Sequence, residues 1–303
     1  GMVMSGHSPE GLKHATYRAI TLGSPMGVSL DAFKKQVSIA EKETGIDIPF
    51  DKQGAEYLLL MSSAEIMQFA EFINAMAQIF KQADVSWTFS SEAFEATNSG
   101  IQIGSSDLAA KLVQRIVDGA EKLGVKYVIS PECGHAYTAL RWEGPNLIGK
   151  PYPFEVIHIL ELLDQLREQG KLPIADKHTE KLTFHDPCQI SRRGGVIEQP
   201  RHLMNAVAAD FVEMPDAGQW NWCCGGGGGV SANEGADALR LKAFTIKKSQ
   251  MEKTGVNKLV TCCSNCRNML EDGFEHYGME VEVVGLSELL AEHLATTETK
   301  QET

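Results

Sequence analysis

The chain has 303 residues, 43% hydrophobic and 22% charged, a globular composition that suits about two domains of roughly 150 residues and excludes a mostly disordered chain. Lys and Arg total 28 against 40 for Asp and Glu, and the net charge of −12 argues against a nucleic-acid partner, because such a surface repels phosphate backbones. The longest strongly apolar runs, such as 57–61, fall far short of the ~20 residues a membrane helix needs. With no basic-then-apolar leader, the expected location is cytoplasmic. Gly1 before Met2 reads as a protease scar and is left out of the reading.

Residues 1–54 read as a helical, polar lead-in, punctuated by Pro49 and Gly54. Tyr57-Leu58-Leu59-Leu60-Met61 carries a strand signal. A helix is expected over 64–81, where Ile66, Phe69, Ile73, Met76 and Phe80 recur at spacings of three and four. Another is expected over 106–123, with Leu108, Leu112, Ile116 and Val117 on one face, a cap at Ser105 or Ser106 and a stop at Gly124. The strand Tyr127-Val128-Ile129 follows, and then a helix over 154–169. Strands alternating with helices imply an α/β fold with a mostly parallel sheet flanked by helices.

Three segments recur at similar offsets in the same order. Glu56-Tyr57-Leu58-Leu59-Leu60 is matched by Lys181-Leu182-Thr183-Phe184-His185, Gly124-Val125-Lys126-Tyr127-Val128-Ile129 by Gly255-Val256-Asn257-Lys258-Leu259-Val260, and His158-Ile159-Leu160-Glu161 by Gly285-Leu286-Ser287-Glu288. The expectation is a tandem duplication, with one repeat over 55–175, a second over 176–303 and a polar junction around Pro173. The repeats differ in thiols. Six of the seven cysteines lie between Cys188 and Cys266; the first repeat has serines at Ser62, Ser63, Ser90 and Ser91 and keeps only Cys133.

Cys188, Cys223-Cys224 and Cys262-Cys263-x2-Cys266 all fall after expected strands, on loops that converge at one edge of an open parallel sheet. Four or more thiolates at one point suit a soft metal or an iron–sulfur cluster. A structural zinc site usually takes two Cys-x2-Cys pairs, whereas here one pair is adjacent. Buried, unreactive thiols are the plain alternative. Gly225, Gly226 and Gly227, in a run of five glycines, allow close backbone approach to an inorganic core and offer N–H groups to its sulfides. No Gly-Lys-Ser/Thr follows, so a phosphate loop is a poor match.

Cys188…Cys223-Cys224-Gly225…Cys263-x2-Cys266 resembles the cysteine-rich CCG domain of heterodisulfide reductase catalytic subunits. The segments Trp87-Thr88-Phe89-Ser90-Ser91-Glu92-Ala93-Phe94-Glu95-Ala96-Thr97-Asn98, Glu132-Cys133-Gly134-His135-Ala136-Tyr137 and Phe184-His185-Asp186-Pro187-Cys188 narrow the resemblance to the K-type catalytic subunits of sulfite reductase-linked membrane complexes. It implies a [4Fe–4S] centre, noncubane in some members, with Cys188, Cys223, Cys224, Cys263 and Cys266 as ligands. Cys262 is an extra thiol beside Cys263, and the two-residue spacing to Cys266 favours Cys263. The resemblance further implies an enzyme that breaks or forms a disulfide or trisulfide of a small thiol or carrier protein. Its partners would be a ferredoxin-type electron donor and a membrane quinone or cytochrome b-type subunit, with membrane association through that complex. The ferredoxin-like Cys-x2-Cys runs of longer relatives are not in this sequence.

Two thiolates must take up protons, so His135 and His185 are candidate donors, each with a satisfied core histidine as the alternative. Cys133 is a candidate redox thiol. Arg192 and Arg193 are candidates for holding an anionic substrate or a partner's terminal carboxylate, with a plain surface role as the alternative. Glu132 is a candidate for setting a nearby pKa, or a solvated carboxylate. Trp220 and Trp222 are expected to pack over the cluster, and Trp142 in the core. Two other functions fit the sequence: the iron–sulfur subunit of a quinone-linked 2-hydroxyacid or succinate oxidoreductase, and a non-catalytic metal-binding scaffold in a membrane-associated complex.

Overall fold

The computed structural model describes residues 7–96 and 99–295. Thr97 and Asn98, which close one segment of the family resemblance, lie outside the described residues, as do the outer ends of the expected lead-in and second repeat.

Two parallel four-stranded sheets organise the chain. Strands β1 (Tyr57–Leu59), β2 (Trp87–Thr88), β3 (Tyr127–Ser130) and β4 (Glu155–His158) form one in the order β2-β1-β3-β4. Strands β5 (His178–His185), β6 (Ala208–Val212), β7 (Lys258–Thr261) and β8 (Glu282–Gly285) form the other in the order β6-β5-β7-β8. The two orders are the same once each strand is counted within its own half, as expected of two tandem α/β units. The matched segments occupy equivalent places: Gly124 and Gly255 both end helices in the left-handed region (φ 69° and 65°), and His158 and Gly285 both precede the helix that follows the fourth strand.

Local chemistry accounts for most boundaries. The helix Ser106–Leu123 starts where the Ser105 hydroxyl accepts the Leu108 N–H and stops at Gly124. The helix expected over 64–81 is two helices, Ser63–Gln68 and Glu71–Gln82. Phe69 leaves the helical region (φ −132°, ψ 51°), and the Arg267 guanidinium of the other half lies 3.9 Å from its ring centroid. The break falls where this contact between halves is made, although the apolar spacing is continuous in the sequence. The helix expected over 154–169 opens instead with β4, because Val156 and Ile157 pair with Val128 and Ile129. Helix begins only at Ile159, after His158 and Glu161 have closed a reciprocal cap.

The lead-in contributes the helices Glu10–Leu22 and Leu30–Thr44. The second turns Phe33 into the first half, with ring centroids 4.9–5.5 Å from Phe50, Phe89 and Phe94. One buried apolar core runs through both halves. Polar contacts join them as well: Ser264 N–H donates to the Glu132 carbonyl (2.9 Å), Ser62 and Ser264 hydroxyls meet at 3.0 Å, and Asn268 Nδ2 donates to Gln68 Oε1 (2.6 Å).

Candidate metal centre

Three segments of the second half converge beside the first. β5 ends at His185, and Asp186 immediately after it pairs with both terminal nitrogens of Arg201 and accepts the Gly218 N–H (2.7 Å). The Asn221 side chain donates to the Asp186 carbonyl, so the loop leading into Cys223 is pinned to the end of β5. Cys188 follows on the same strand end. β7 ends at Thr261, and Cys263 stands at the N-terminus of the helix Ser264–His276, whose first turn carries Cys266. The sequence placed all of these cysteines directly after strands. Cys223 and Cys224 instead lie in a long loop, beyond β6 and a 3₁₀ turn at Gly218–Trp220.

A narrow cleft is lined by Cys188, Cys223, Cys224, Cys263 and Cys266 and, from the first half, by Gly134 and His135. Sγ of Cys188 lies 3.7 Å from that of Cys223, and Sγ of Cys224 lies 3.2 Å from that of Cys266. Cys223 is exposed and Cys188 half-buried, while Cys224, Cys263 and Cys266 are buried, so the sulfurs have an outer and an inner side. Hydrogen bonds from the Cys188 and Cys224 thiols and from the Gly225 N–H lower the pKa of Cys223. The bond it gives to Cys223, together with burial, raises that of Cys188. All seven cysteines are free thiols. A cleft walled by five sulfurs is a soft donor set that fits an iron–sulfur centre. Cys262 is not among the lining residues; it is fully buried, and burial raises its pKa.

Comparison with known proteins agrees with this geometry. The cysteine-rich CCG domain pattern matches residues 182–271, the span that holds all five cleft cysteines. The chain carries a CCG domain. It is similar to a dihydromethanophenazine:CoB–CoM heterodisulfide reductase subunit of Methanosarcina mazei, 32% identical over 194 residues, 64% of this chain and 47% of that one. It is also similar to the Hdr-like menaquinol oxidoreductase iron-sulfur subunit 2 of Archaeoglobus fulgidus, 27% identical over 91% of this chain and 58% of that one. The chain thus spans about half the length of these relatives. A hypothetical protein from Helicobacter pylori shares the fold with a TM-score of 0.56 at 9% identity, over 88% of this chain and 55% of that one.

Around the CCG cysteines the other residues singled out in the sequence take varied places. His135 reaches across from the first half, and its Nε2 accepts the Gly228 N–H at 3.4 Å. Burial lowers its pKa. His185 is buried with neither ring nitrogen hydrogen-bonded among the described residues. Its nearest ring nitrogen and the sulfurs of Cys224 and Cys266 all lie within 4.8 Å of one another. Cys133 is half-buried at the N-terminus of the helix Gly134–Thr138, the counterpart of Cys263. It does not line the cleft, and burial raises its pKa. Glu132 is buried, not solvated: Oε1 accepts both the Ser287 hydroxyl (2.6 Å) and its N–H (3.2 Å), tying the halves together. Burial, then the Glu288 charge, raises its pKa.

Arg192 is committed to the protein: Nε donates to the Gln219 carbonyl (2.9 Å) and Nη2 to the carbonyl and side chain of Asn221. It braces the loop before Cys223 and leaves no free fork for an anion. Arg193 pairs across the halves with Glu143 (2.9 Å) at the surface. Gly225 has φ 92°, and Cβ atoms at Gly226 and Gly227 would lie 2.3 Å from Met269 and 3.0 Å from His135. These glycines therefore allow close approach of protein neighbours. The tryptophan expectations fail: Trp220, Trp222 and Trp142 are 73%, 47% and 49% exposed. Arg192 holds the 219–221 loop from its backbone side, and Trp222 turns outward to donate to Asp216 (3.2 Å).

Sequence reasoning missed two buried polar groups. One is Lys247, on the helix Asp237–Thr254; the signal was a lysine at the apolar spacing between Phe244 and Met251. The other joins the halves: Arg267 pairs with Glu288 (2.6 Å), and the charges of Glu65, Glu132 and Glu288 act on one another. No local pattern marks it, because its members come from four separate segments.

Proposed function

We propose that the chain is the iron–sulfur subunit of an Hdr-like oxidoreductase that reduces or forms a disulfide or trisulfide. Cys188, Cys223, Cys224, Cys263 and Cys266 would hold its [4Fe–4S] centre. The observation that carries this reading is the convergence of these five sulfurs on one cleft closed by His135. When bound, such a centre supplies electrons one at a time to a sulfur–sulfur bond. The chain's residues do the rest. Exposed Cys223 and half-buried Cys188 mark the side from which a small thiol or carrier protein approaches. His135, with Nε2 accepting from Gly228, carries its proton on Nδ1, from which a neutral N–H would hydrogen-bond a departing thiolate and offset its charge while the proton comes from solvent. His185 places a ring nitrogen beside the inner sulfurs, where an N–H would offset their charge.

Similarity to the A. fulgidus relative, which is named a menaquinol oxidoreductase subunit, supports association with a membrane complex through other chains. No helix among the described residues is long and apolar enough to cross a membrane. A ferredoxin-type donor and a quinone or cytochrome b-type subunit are the proposed partners, as in the K-type subunits that the sequence resembles. Anaerobic reconstitution tests the reading: about four irons per chain and a visible spectrum that responds to added disulfide or thiol are expected. A folded protein that takes up no iron, or zinc instead, would overturn it. The second reading, a quinone-linked electron-transfer subunit, is favoured by similarity to the EtfAB:quinone oxidoreductase of Syntrophomonas wolfei, 30% identical over 75% of this chain and 32% of that one. An iron centre indifferent to thiols and disulfides but reoxidised by quinone would select it.

A further inference from the structure

A second pocket mirrors the cysteine cleft across the boundary between the halves. The cleft is lined by Cys263 and Cys266 of its own half and by Gly134 and His135 of the first. The second pocket, about 140 Å³, is lined by Cys133 and Ala136 of its own half and by Ser264 and Asn265 of the other. These are the same positions of the two segments that follow β3 and β7, exchanged. Ser62 and Ser63 line it where Pro187 and Cys188 line the cleft. Asn265 lines both spaces, so they adjoin.

The most buried polar group of this pocket is Glu95, 1% exposed. The Ser63 hydroxyl donates to its Oε1 (2.5 Å), and the Ser24 hydroxyl stands 3.1 Å from that of Ser63. Oε2 has no hydrogen-bond partner among the described residues. A buried carboxyl oxygen left without a donor is costly, and this carboxyl borders a cavity rather than the core. No Lys, Arg or His lines the pocket. Arg115 acts on Glu95 through its charge, but its Nε is on the Glu92 carbonyl (3.1 Å) and it does not line the pocket. A carboxylate with one free oxygen and no cation around the cavity disfavours anions and favours a charged hydrogen-bond donor. A space of this size suits a group about as large as benzene.

We propose that this pocket is a second ligand site: it takes the ammonium-bearing end of a small aminothiol, with Glu95 Oε2 as acceptor, while the sulfur reaches the cleft past Asn265. This rests on the thiol–disulfide reading above and names the class of thiol, cationic and without phosphate, sulfonate or carboxylate at that end. Cys133 is then a wall of the ligand site, not a ligand of the centre.

The first test needs no metal. Methanethiosulfonates convert a thiol to a mixed disulfide and release methanesulfinate, so the 2-aminoethyl and 2-sulfonatoethyl reagents carry opposite charges to Cys133. The labelling is run at pH 8, above the value of about 7 to which burial raises Glu95. Cys133 should favour the cationic reagent at least about tenfold beyond the ratio for free cysteine, read by mass spectrometry of its peptide. E95Q should lose this preference. If E95Q does not fold, Q102K, which leaves the buried carboxyl in place, should lose it by putting a cation in the pocket wall. The second test follows the spectrum of the reconstituted centre as 2-aminoethanethiol or 2-mercaptoethanesulfonate is added. The aminothiol should half-saturate at a concentration at least about tenfold lower, and E95Q should close the gap. Equal labelling by the two reagents, or equal half-saturation by the two thiols, overturns the proposal and leaves the iron–sulfur reading intact. An unaltered chain that takes up no iron overturns the iron–sulfur reading, and selective labelling of Cys133 would still support a cation pocket.

Discussion

After β1 the chain has Ser62 and Ser63; after β5, at the matching place, it has Pro187 and Cys188. The serines are spent on closing their own edge. The Ser62 hydroxyl caps the next helix and accepts the Glu65 N–H, and Ser63 donates to Glu95 Oε1 at 2.5 Å. After β3 and β7 the two halves keep a cysteine at equivalent helix N-termini, Cys133 and Cys263, but only Cys263 lines the cleft. Hydroxyls and carboxyls satisfy one another strongly, whereas thiols are weak donors and leave their sulfurs available. The first half has in this way become a wall. It lends His135 and Gly134 to its neighbour's cleft and uses Glu132 to grip the neighbour's last helix.

The largest expected effect tests which half holds the centre. Cys224→Ser should abolish iron binding, since it removes a buried inner sulfur, while Cys133→Ser should leave the iron content unchanged. Iron analysis with circular dichroism separates loss of metal from loss of fold. Iron loss in Cys133→Ser would make the first half a ligand donor and erase the proposed division of labour.

Much of this contrast is legible in the sequence, and the parts that are not have physical causes. The tandem α/β pattern is carried by local signals: apolar strands, Ser105 as a cap, and left-handed glycines as stops. β4 is hidden because Val156 and Ile157 have a helix-compatible spacing until β3 is there to pair with them. The helix breaks at Phe69, whose ring meets Arg267, some two hundred residues away in the sequence. The cysteine set is readable because strand ends of a parallel sheet share one edge. Charge pairing is not, and Arg192 and Glu132 look available in the sequence only because Asn221 and Ser287 are out of sight.

A second, smaller effect should appear in the pH dependence of stability and belongs to the first half. Burial, only partly offset by hydrogen bonds from Ser62, pushes the Glu65 carboxyl up to about 8, and burial takes Glu95 to about 7. The folded state then keeps protons that the unfolded chain releases near its ordinary carboxyl pKa. Stability is fully present below that value and is lost as pH rises through the folded pKa. Each group contributes about 1.4 kcal/mol for every tenfold difference in proton affinity between the folded and unfolded chain. Melting temperature should fall between pH 5 and pH 8, and Glu65→Gln should flatten the slope. A slope unaffected by that substitution would show that the carboxyl is already ionised in the folded protein.

Glu132→Ala should cost about 1–3 kcal/mol by leaving the buried Ser287 N–H without its acceptor, with iron content kept. Urea unfolding reads it, and a loss of iron without a loss of stability would move Glu132 from the boundary between halves to the centre itself.

The smallest effect is the most pointed for the outer rim. Trp222 and Trp220 flank the loop into Cys223, yet both are exposed, Trp220 more than Trp222. Surface substitutions away from special features usually fall within about 0.5 kcal/mol, so Trp220→Ala should leave both stability and iron content as they are. The decisive measurement is the rate at which the reconstituted centre bleaches in air. A tryptophan that shields the sulfurs would slow oxygen, and its removal would speed bleaching. One that points outward would not, and the protection of the inner sulfurs would then rest on their own burial and on the wall that the first half provides.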